Sequence, residues 1–153
     1  MQTVETILRD VPLFAGMDPD ALEVVAGCAS NVHFRTGDVL FREGEPADTF
    51  YVVRHGSVSL EIFVPAGGPV TIETLDAGEV VGWSWLFAPY LWHFDARARS
   101  PVRATAFDGA CLRAKSDADP ALGYALMTRF AQVMIERLQA TRLRLLDVYG
   151  HRR

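Results

Sequence analysis

Seven of the twelve residues from Trp83 to Phe94 carry an aromatic or heteroaromatic ring: Trp83, Trp85, Phe87, Tyr90, Trp92, His93 and Phe94. All three tryptophans of the chain fall in this stretch. Rings at that density can wall a pocket for a planar or largely apolar ligand, with Tyr90, His93 and the tryptophan N–H groups as polar handles. Two other readings stand beside this one: the rings fill the interior and leave no pocket, or they form a contact surface for another protein. Just beyond the cluster, Asp95, Arg97 and Arg99 alternate with Ala96, Ala98 and Ser100. On a strand the three charged residues share one face, so whether Arg97 reaches a pocket stays open at this level.

Other chemistry finds little support. His33, His55, His93 and His151 are scattered, and none is paired with a second ligand at metal-binding spacing. A nucleophile elbow, a P-loop and a dinucleotide fingerprint are all missing from the sequence. The two cysteines, Cys28 and Cys111, form no CxxC pair. They are expected to be small buried apolar residues rather than a disulfide or a zinc site. A net charge of −4 gives no general reason to bind nucleic acid or an anionic membrane.

Three zones must position these residues. Residues 1–30 read as short N-terminal helices. Val4, Ile7, Leu8 and Val11 share a face before Pro12, and Asp18-Pro19 makes an N-cap with proline at the first helical position. Residues 31–116 switch to short runs rich in Val, Ile, Phe and Thr, separated by glycine-bearing turns. Strands are expected at Val32–Arg35, Val39–Arg42, Phe50–Arg54, Val58–Phe63, Val70–Leu75, Ala96–Ser100, Val102–Phe107 and Ala110–Lys115. His55-Gly56 and Asp108-Gly109 have the composition of tight hairpin turns. That spacing, with no alternating helices, predicts an all-β barrel or sandwich. Residues 117–149 form one long helix opened by Asp119-Pro120. Its apolar positions Leu122, Leu126, Phe130, Met134, Leu138, Thr141, Leu145 and Val148 approach a coiled-coil seam. A helix that long exceeds what a small barrel covers, so a second copy of the chain is expected along its far end.

The run Phe34 to Val58, FRTGDVLFREGEPADTFYVVRHGSV, resembles the front half of a cyclic-nucleotide-binding domain, the module of catabolite-activator-type regulators and of cyclic-nucleotide-dependent kinase regulatory subunits. Gly37-Asp38, Glu43-Gly44, Phe50–Val53 and Gly56-Ser57-Val58 stand where that family has its turns and strands. The resemblance implies a fold that is mainly β with flanking helices: a double-stranded β-helix or jelly-roll barrel, short N-terminal helices and one long C-terminal helix, in a single domain over residues 1–153. It also implies a phosphate-binding cassette in which a helix N-terminus and an arginine neutralise a cyclic phosphate, while a glutamate accepts a ribose hydroxyl. The corresponding segment here departs from that pattern. Gly82 holds the family glycine, Trp83 stands at the glutamate position, and Phe94 with Asp95 stands at the arginine end, a one-residue shift bringing His93 there instead. Losing both polar contacts removes about 3–6 kcal/mol, roughly 10²–10⁴ in affinity.

The ring cluster and the resemblance together nominate Gly82, Trp83, Ser84, Trp85, Leu86, His93, Phe94, Asp95 and Arg97 as the ligand-binding set. No catalytic residue, no metal ligand and no resident cofactor is expected. The implied function is a non-catalytic sensor binding a cyclic nucleotide or a non-standard planar ligand; the alternative is a ligand-free protein-interaction module. The expected partner is a second copy, with a further protein partner left open. No helix-turn-helix DNA-binding domain is expected after the long helix, and Arg137, Arg142, Arg144, Arg152 and Arg153 read as a solvated basic helix end. The most apolar stretch, Val80 to Trp92, is too short and too interrupted to cross a membrane. With Glu5 and Asp10 in place of a signal sequence, a cytoplasmic location is expected.

Overall fold

In the computed structural model, which describes residues 4–150, alternation along one strand decides the layering. Successive side chains on a strand point to opposite faces. In β3 (Thr49–His55) Phe50 and Val52 enter one apolar core and Val53 enters another. The first core lies under the helices and holds Leu8, Phe14, Leu22, Val25, Phe107, Leu112, Leu126 and Phe130. The second lies inside the barrel among Phe41, Val58, Leu60, Leu75, Val81, Trp92 and a row of small residues, Ala96, Ala98 and Ala104.

Two four-stranded antiparallel sheets enclose that second core. One runs β1 (Ala29–Phe34), β8 (Val102–Asp108), β3, β6 (Val80–Val81) in spatial order. The other runs β2 (Val39–Phe41), β7 (Asp95–Ala98), β4 (Val58–Val64), β5 (Gly68–Leu75). The architecture is the expected jelly roll. Helices α1 (Val4–Arg9) and α2 (Pro19–Ala26) precede it, with a single helical turn at Pro12–Phe14 between them. Asp18 caps α2 as its sequence implies, its carboxylate accepting from the Ala21 N–H at 3.3 Å.

Three local expectations need correction. The Gly56–Ser57 link is not a hairpin, because β3 and β4 belong to different sheets. It is a corner where Gly56 sits at φ +93° and a Cβ would run into the Pro101 carbonyl, which explains the glycine without any hairpin. Residues 110–115 are not a strand: they lie in helix α3 (Gly109–Ala118). Asp108 is accordingly an N-cap and not a turn residue, its carboxylate accepting from the Cys111 N–H at 3.0 Å. Finally, Cys28 and Cys111 are not isolated. They form a disulfide across 83 residues of sequence, with Cα atoms 5.8 Å apart. The helical start at Gly109 turns Cys111 back toward the opening of β1, where the Asp108 N–H donates to the Cys28 carbonyl at 2.9 Å.

Helix α4 (Pro120–Gly150) has 31 residues, about 46 Å at 1.5 Å per residue. Asp119 opens it, accepting from the N–H groups of Ala121 and Leu122. Its first half docks through Leu122, Leu126 and Phe130, which are buried. From Leu138 to Asp147 every residue is exposed, including Leu138, Leu143, Leu145 and Leu146. The Val148 side chain, and His151, Arg152 and Arg153, lie outside the described residues. Among the described residues no helix is long and apolar enough to cross a membrane.

The disulfide staples α3, and through it the root of α4, to the start of the barrel. Constraining so long a loop stabilises by about 2–4 kcal/mol. Reductant, or Cys111→Ser, should therefore lower the free energy of denaturant unfolding by that amount; identical midpoints with and without reductant would contradict it.

Candidate functional site

Gly82 follows directly on β6 at φ +92°, in the left-handed region, and its Cα faces the ring of Trp92 so closely that a Cβ would collide with it. Only glycine meets both demands. The Trp92 ring lies stacked on Phe41, centroids 3.7 Å apart and planes within 8°. Phe94 leans on both, at 5.8 Å from Phe41 and 6.4 Å from Trp92. Trp92 is 3% exposed. The barrel interior beside the glycine turn is thus occupied by the chain's own indole. A cleft of about 320 Å³, lined by Leu40, Glu45, Pro46, Asp48, Thr49 and Tyr51, opens from solvent onto Phe41 and Trp92. Burial raises the Tyr51 hydroxyl above its ordinary pKa, keeping it a neutral donor.

The next residues turn away from the barrel. A single helical turn at Ser84–Leu86 places Trp85, fully buried, in the core beneath the helices. There it stacks on Phe50 at 4.9 Å and meets Phe130 of α4 edge-on at 5.3 Å. Arg113 of α3 holds the turn in place, donating to the Trp85 carbonyl at 2.6 Å while its guanidinium lies 4.3 Å over the Tyr90 ring. Trp83 faces α4, with the Arg137 guanidinium 5.1 Å from its ring centroid. Arg137 also donates to the Val80 carbonyl and pairs with Glu73 at 3.8 Å. Burial pushes the Arg137 guanidinium below its ordinary pKa, opposed by the carboxylates of Glu73 and Glu79. Its Nη1 is buried without a partner among the described residues. Arg137 therefore works as a strut between β6, the Gly82 turn and α4, and not as a solvated member of a basic tail.

The nine residues nominated from sequence consequently separate. Gly82 and Phe94 border the barrel interior. Trp83, Trp85 and Leu86 pack with the helical core, and Ser84 is buried. His93 is exposed. Asp95 accepts from the Glu43 N–H at 2.7 Å, bracing the loop after β2. Arg97 does not enter the barrel. Its neighbours Ala96 and Ala98 do, and Arg97 instead pairs with Glu61 at 3.2 Å and donates to the Gly37 carbonyl at 3.1 Å. Glu61 in turn accepts from Ser59 at 2.8 Å. Three residues that matter here were not nominated. Trp92 was counted only as one ring among seven, Phe41 looked like any strand residue, and Arg137 looked like helix surface. The position of Arg137 between apolar Met134 and Leu138 was the available signal.

Residues 31–119, the barrel from within β1 onward together with α3, match the family model of the cyclic nucleotide-binding domain. The chain belongs to the cyclic nucleotide-binding domain family. Among its relatives is a CRP-like cAMP-activated global transcriptional regulator of Mycobacterium tuberculosis, 26% identical over 145 residues, which cover 95% of this chain and 63% of the regulator. The chain thus spans less than two thirds of that regulator's length. A protein from Geobacter metallireducens described as a cyclic nucleotide-binding protein shares 33% identity and superposes with a TM-score of 0.81 over 90% of this chain and 99% of its own. The N-terminal domain of a transcriptional regulator from Streptomyces coelicolor follows at 29% identity and a TM-score of 0.69, covering 88% of this chain and 94% of that domain. Relatives of this cyclic nucleotide-binding domain include transcriptional regulators.

The contact of Gly82 with Trp92 can be tested by a double-variant cycle. Gly82→Ala should destabilise by about 2 kcal/mol or more, combining positive-φ strain with overpacking. Trp92→Ala should cost about 3–5 kcal/mol through the cavity it leaves. The pair together should cost clearly less than the sum, because the second change removes the ring the new methyl strikes. Strict additivity in chemical denaturation would show that the two residues do not meet.

Proposed function

We propose that this chain is a non-catalytic regulatory sensor domain in which a small planar ligand replaces the Trp92 ring at the Gly82 turn, and in which occupancy is passed to α4. The observation that carries this reading is the stack of Trp92 on Phe41 over Gly82. It supports a seat suited to a flat ring, reached through the cleft beside Tyr51. The reading assigns Gly82 and Phe94, with Phe41, to the seat, and Ser84, Leu86 and His93 to its moving rim. Trp83 and Trp85 are the couplers, through Arg137 and Phe130. Asp95 and Arg97 brace the neighbouring loops and do not touch the ligand. A cyclic nucleotide held by a glutamate and an arginine is disfavoured, since Trp83 and Phe94 stand at those positions. The response element is the exposed leucine row of α4, which a second copy covers. We place the domain in the cytoplasm, where the prevailing thiol–disulfide poise would control the Cys28–Cys111 link.

A specific observation favours a second reading. With Trp92 3% exposed the seat is closed, as in a ligand-free module that acts only through α4. Tryptophan fluorescence and thermal shift with indole, adenine, cAMP and cGMP separate the two. The sensor reading expects indole or adenine to raise the melting temperature, more strongly in Trp92→Ala where the seat is vacated, and expects micromolar cAMP and cGMP to do nothing. If neither protein responds to any flat ring, the closed module is correct. If micromolar cAMP protects the unaltered protein, a phosphate clamp has been rebuilt and the aromatic seat is wrong.

Self-association has its own check. Leu138→Glu with Leu145→Glu should convert a dimer to a monomer in sedimentation equilibrium while leaving the circular-dichroism melt nearly intact, because both side chains are about half exposed in the single chain. An unaltered protein that is monomeric at high micromolar concentration would remove α4 pairing from the proposal.

A further inference from the structure

On the outer face of the β1-β8-β3 sheet, beyond the edge of the helices, a cleft of about 930 Å³ is lined by Asn31, His33, Arg35, Arg54, His55 and Arg103 among others. The strand register builds it. His33 of β1 and His55 of β3 both pair with Arg103 of β8, so imidazole, guanidinium and imidazole form a row across three strands. Two interstrand spacings make that row about 10 Å long. Arg35 continues β1 past its end, and Arg54 lies next to His55. Among the described residues no aspartate or glutamate lines the cleft, although the chain carries 19 acidic residues against 15 basic ones. The Nε of Arg54 is buried and has no hydrogen-bond partner among the described residues, an arrangement that native proteins avoid unless something else supplies the acceptor.

We propose that this cleft binds a small molecule bearing a short phosphate chain, a nucleoside di- or triphosphate or an inorganic oligophosphate, independently of the Gly82 seat. Three guanidinium forks on one concave face match phosphate oxygens in bidentate fashion, which lysines or a single arginine would not do. The length of the row suits a chain of phosphates better than a single one, and the cleft volume is that of a small-molecule site. Nucleic acid fits less well. Among the described residues the lining holds one benzene ring, Phe34, which is half-buried and packs edge-on against Tyr51 at 5.6 Å. Its imidazoles, His33 and His55, are separated by Arg103, so successive bases find no continuous stacking platform.

The test is calorimetric titration of the full chain with inorganic tripolyphosphate in about 0.15 M salt, where exposed pairs are well screened, with orthophosphate and sulfate as comparators. Tripolyphosphate should bind one per chain and at least ~10-fold more tightly than either comparator. Arg35→Ser with Arg103→Ser should weaken it by at least ~10-fold, given one lost charge-assisted contact or more. Both side chains are exposed, and an unchanged melting temperature will show that the variant folds. Trp92→Ala should bind tripolyphosphate unchanged, which separates failure here from failure of the aromatic seat. Equal binding of sulfate, loss of binding in Arg142→Ser with Arg144→Ser instead, or tighter binding of a single-stranded oligonucleotide would each overturn the proposal.

Discussion

The contact between Trp92 and Gly82 organises this molecule. A glycine in the left-handed region lets the chain leave β6 and turn sharply, and the lack of a side chain opens a flat-sided space in the barrel. Trp92 fills that space and stacks on Phe41. Small residues on β7 and β8, Ala96, Ala98 and Ala104, make room for it by keeping the opposite walls thin. Close packing means that nothing else of that size can enter while the indole is in place. The indole therefore fills the barrel beside the glycine turn in this structure.

That turn is wired to the long helix by two routes of different character. Trp85 reaches α4 through an apolar contact with Phe130, held by Phe50 and Phe107 behind it. Arg137 reaches back from α4 to Val80, Glu73 and the Trp83 ring. A buried guanidinium is tolerated only with partners, so Val80, Glu73 and the Trp83 ring fix where this part of α4 rests. The disulfide adds a covalent anchor at the other end, fixing α3 to the start of β1. Beyond Arg137 the residues of α4 are exposed as far as Asp147, the leucines among them.

Arg97 shows how a residue chosen for one role serves another. Alternation along β7 places its alanine neighbours inside the barrel and Arg97 outside, where it joins Glu61, Ser59 and Gly37 in a network that ties β7 to β4 and to the turn before β2. The rule that charged residues share a face was sound. The face was simply the outer one, because the interior was already committed to small apolar side chains.

Local chemistry by itself determined a good deal. The glycine-bearing turns, the strand runs between them, the Asp18 and Asp119 caps and the long apolar helix were legible in sequence, since each depends on neighbours within a few residues. What depended on distant partners was not legible. Residues 110–115 have strand-like composition, but the Asp108 cap and the docking of Leu112 on the helical core make them a helix. Gly56 looked like a hairpin because a corner between two sheets needs the same positive φ. Cys28 and Cys111 are paired only because α3 returns one to the other. The three-dimensional arrangement likewise divided the aromatic cluster, sending Trp92 into the barrel and Trp85 under the helices. Spacing in sequence can group rings, but only the paths of β6, β7 and the turn between them decide which side of a sheet each ring enters.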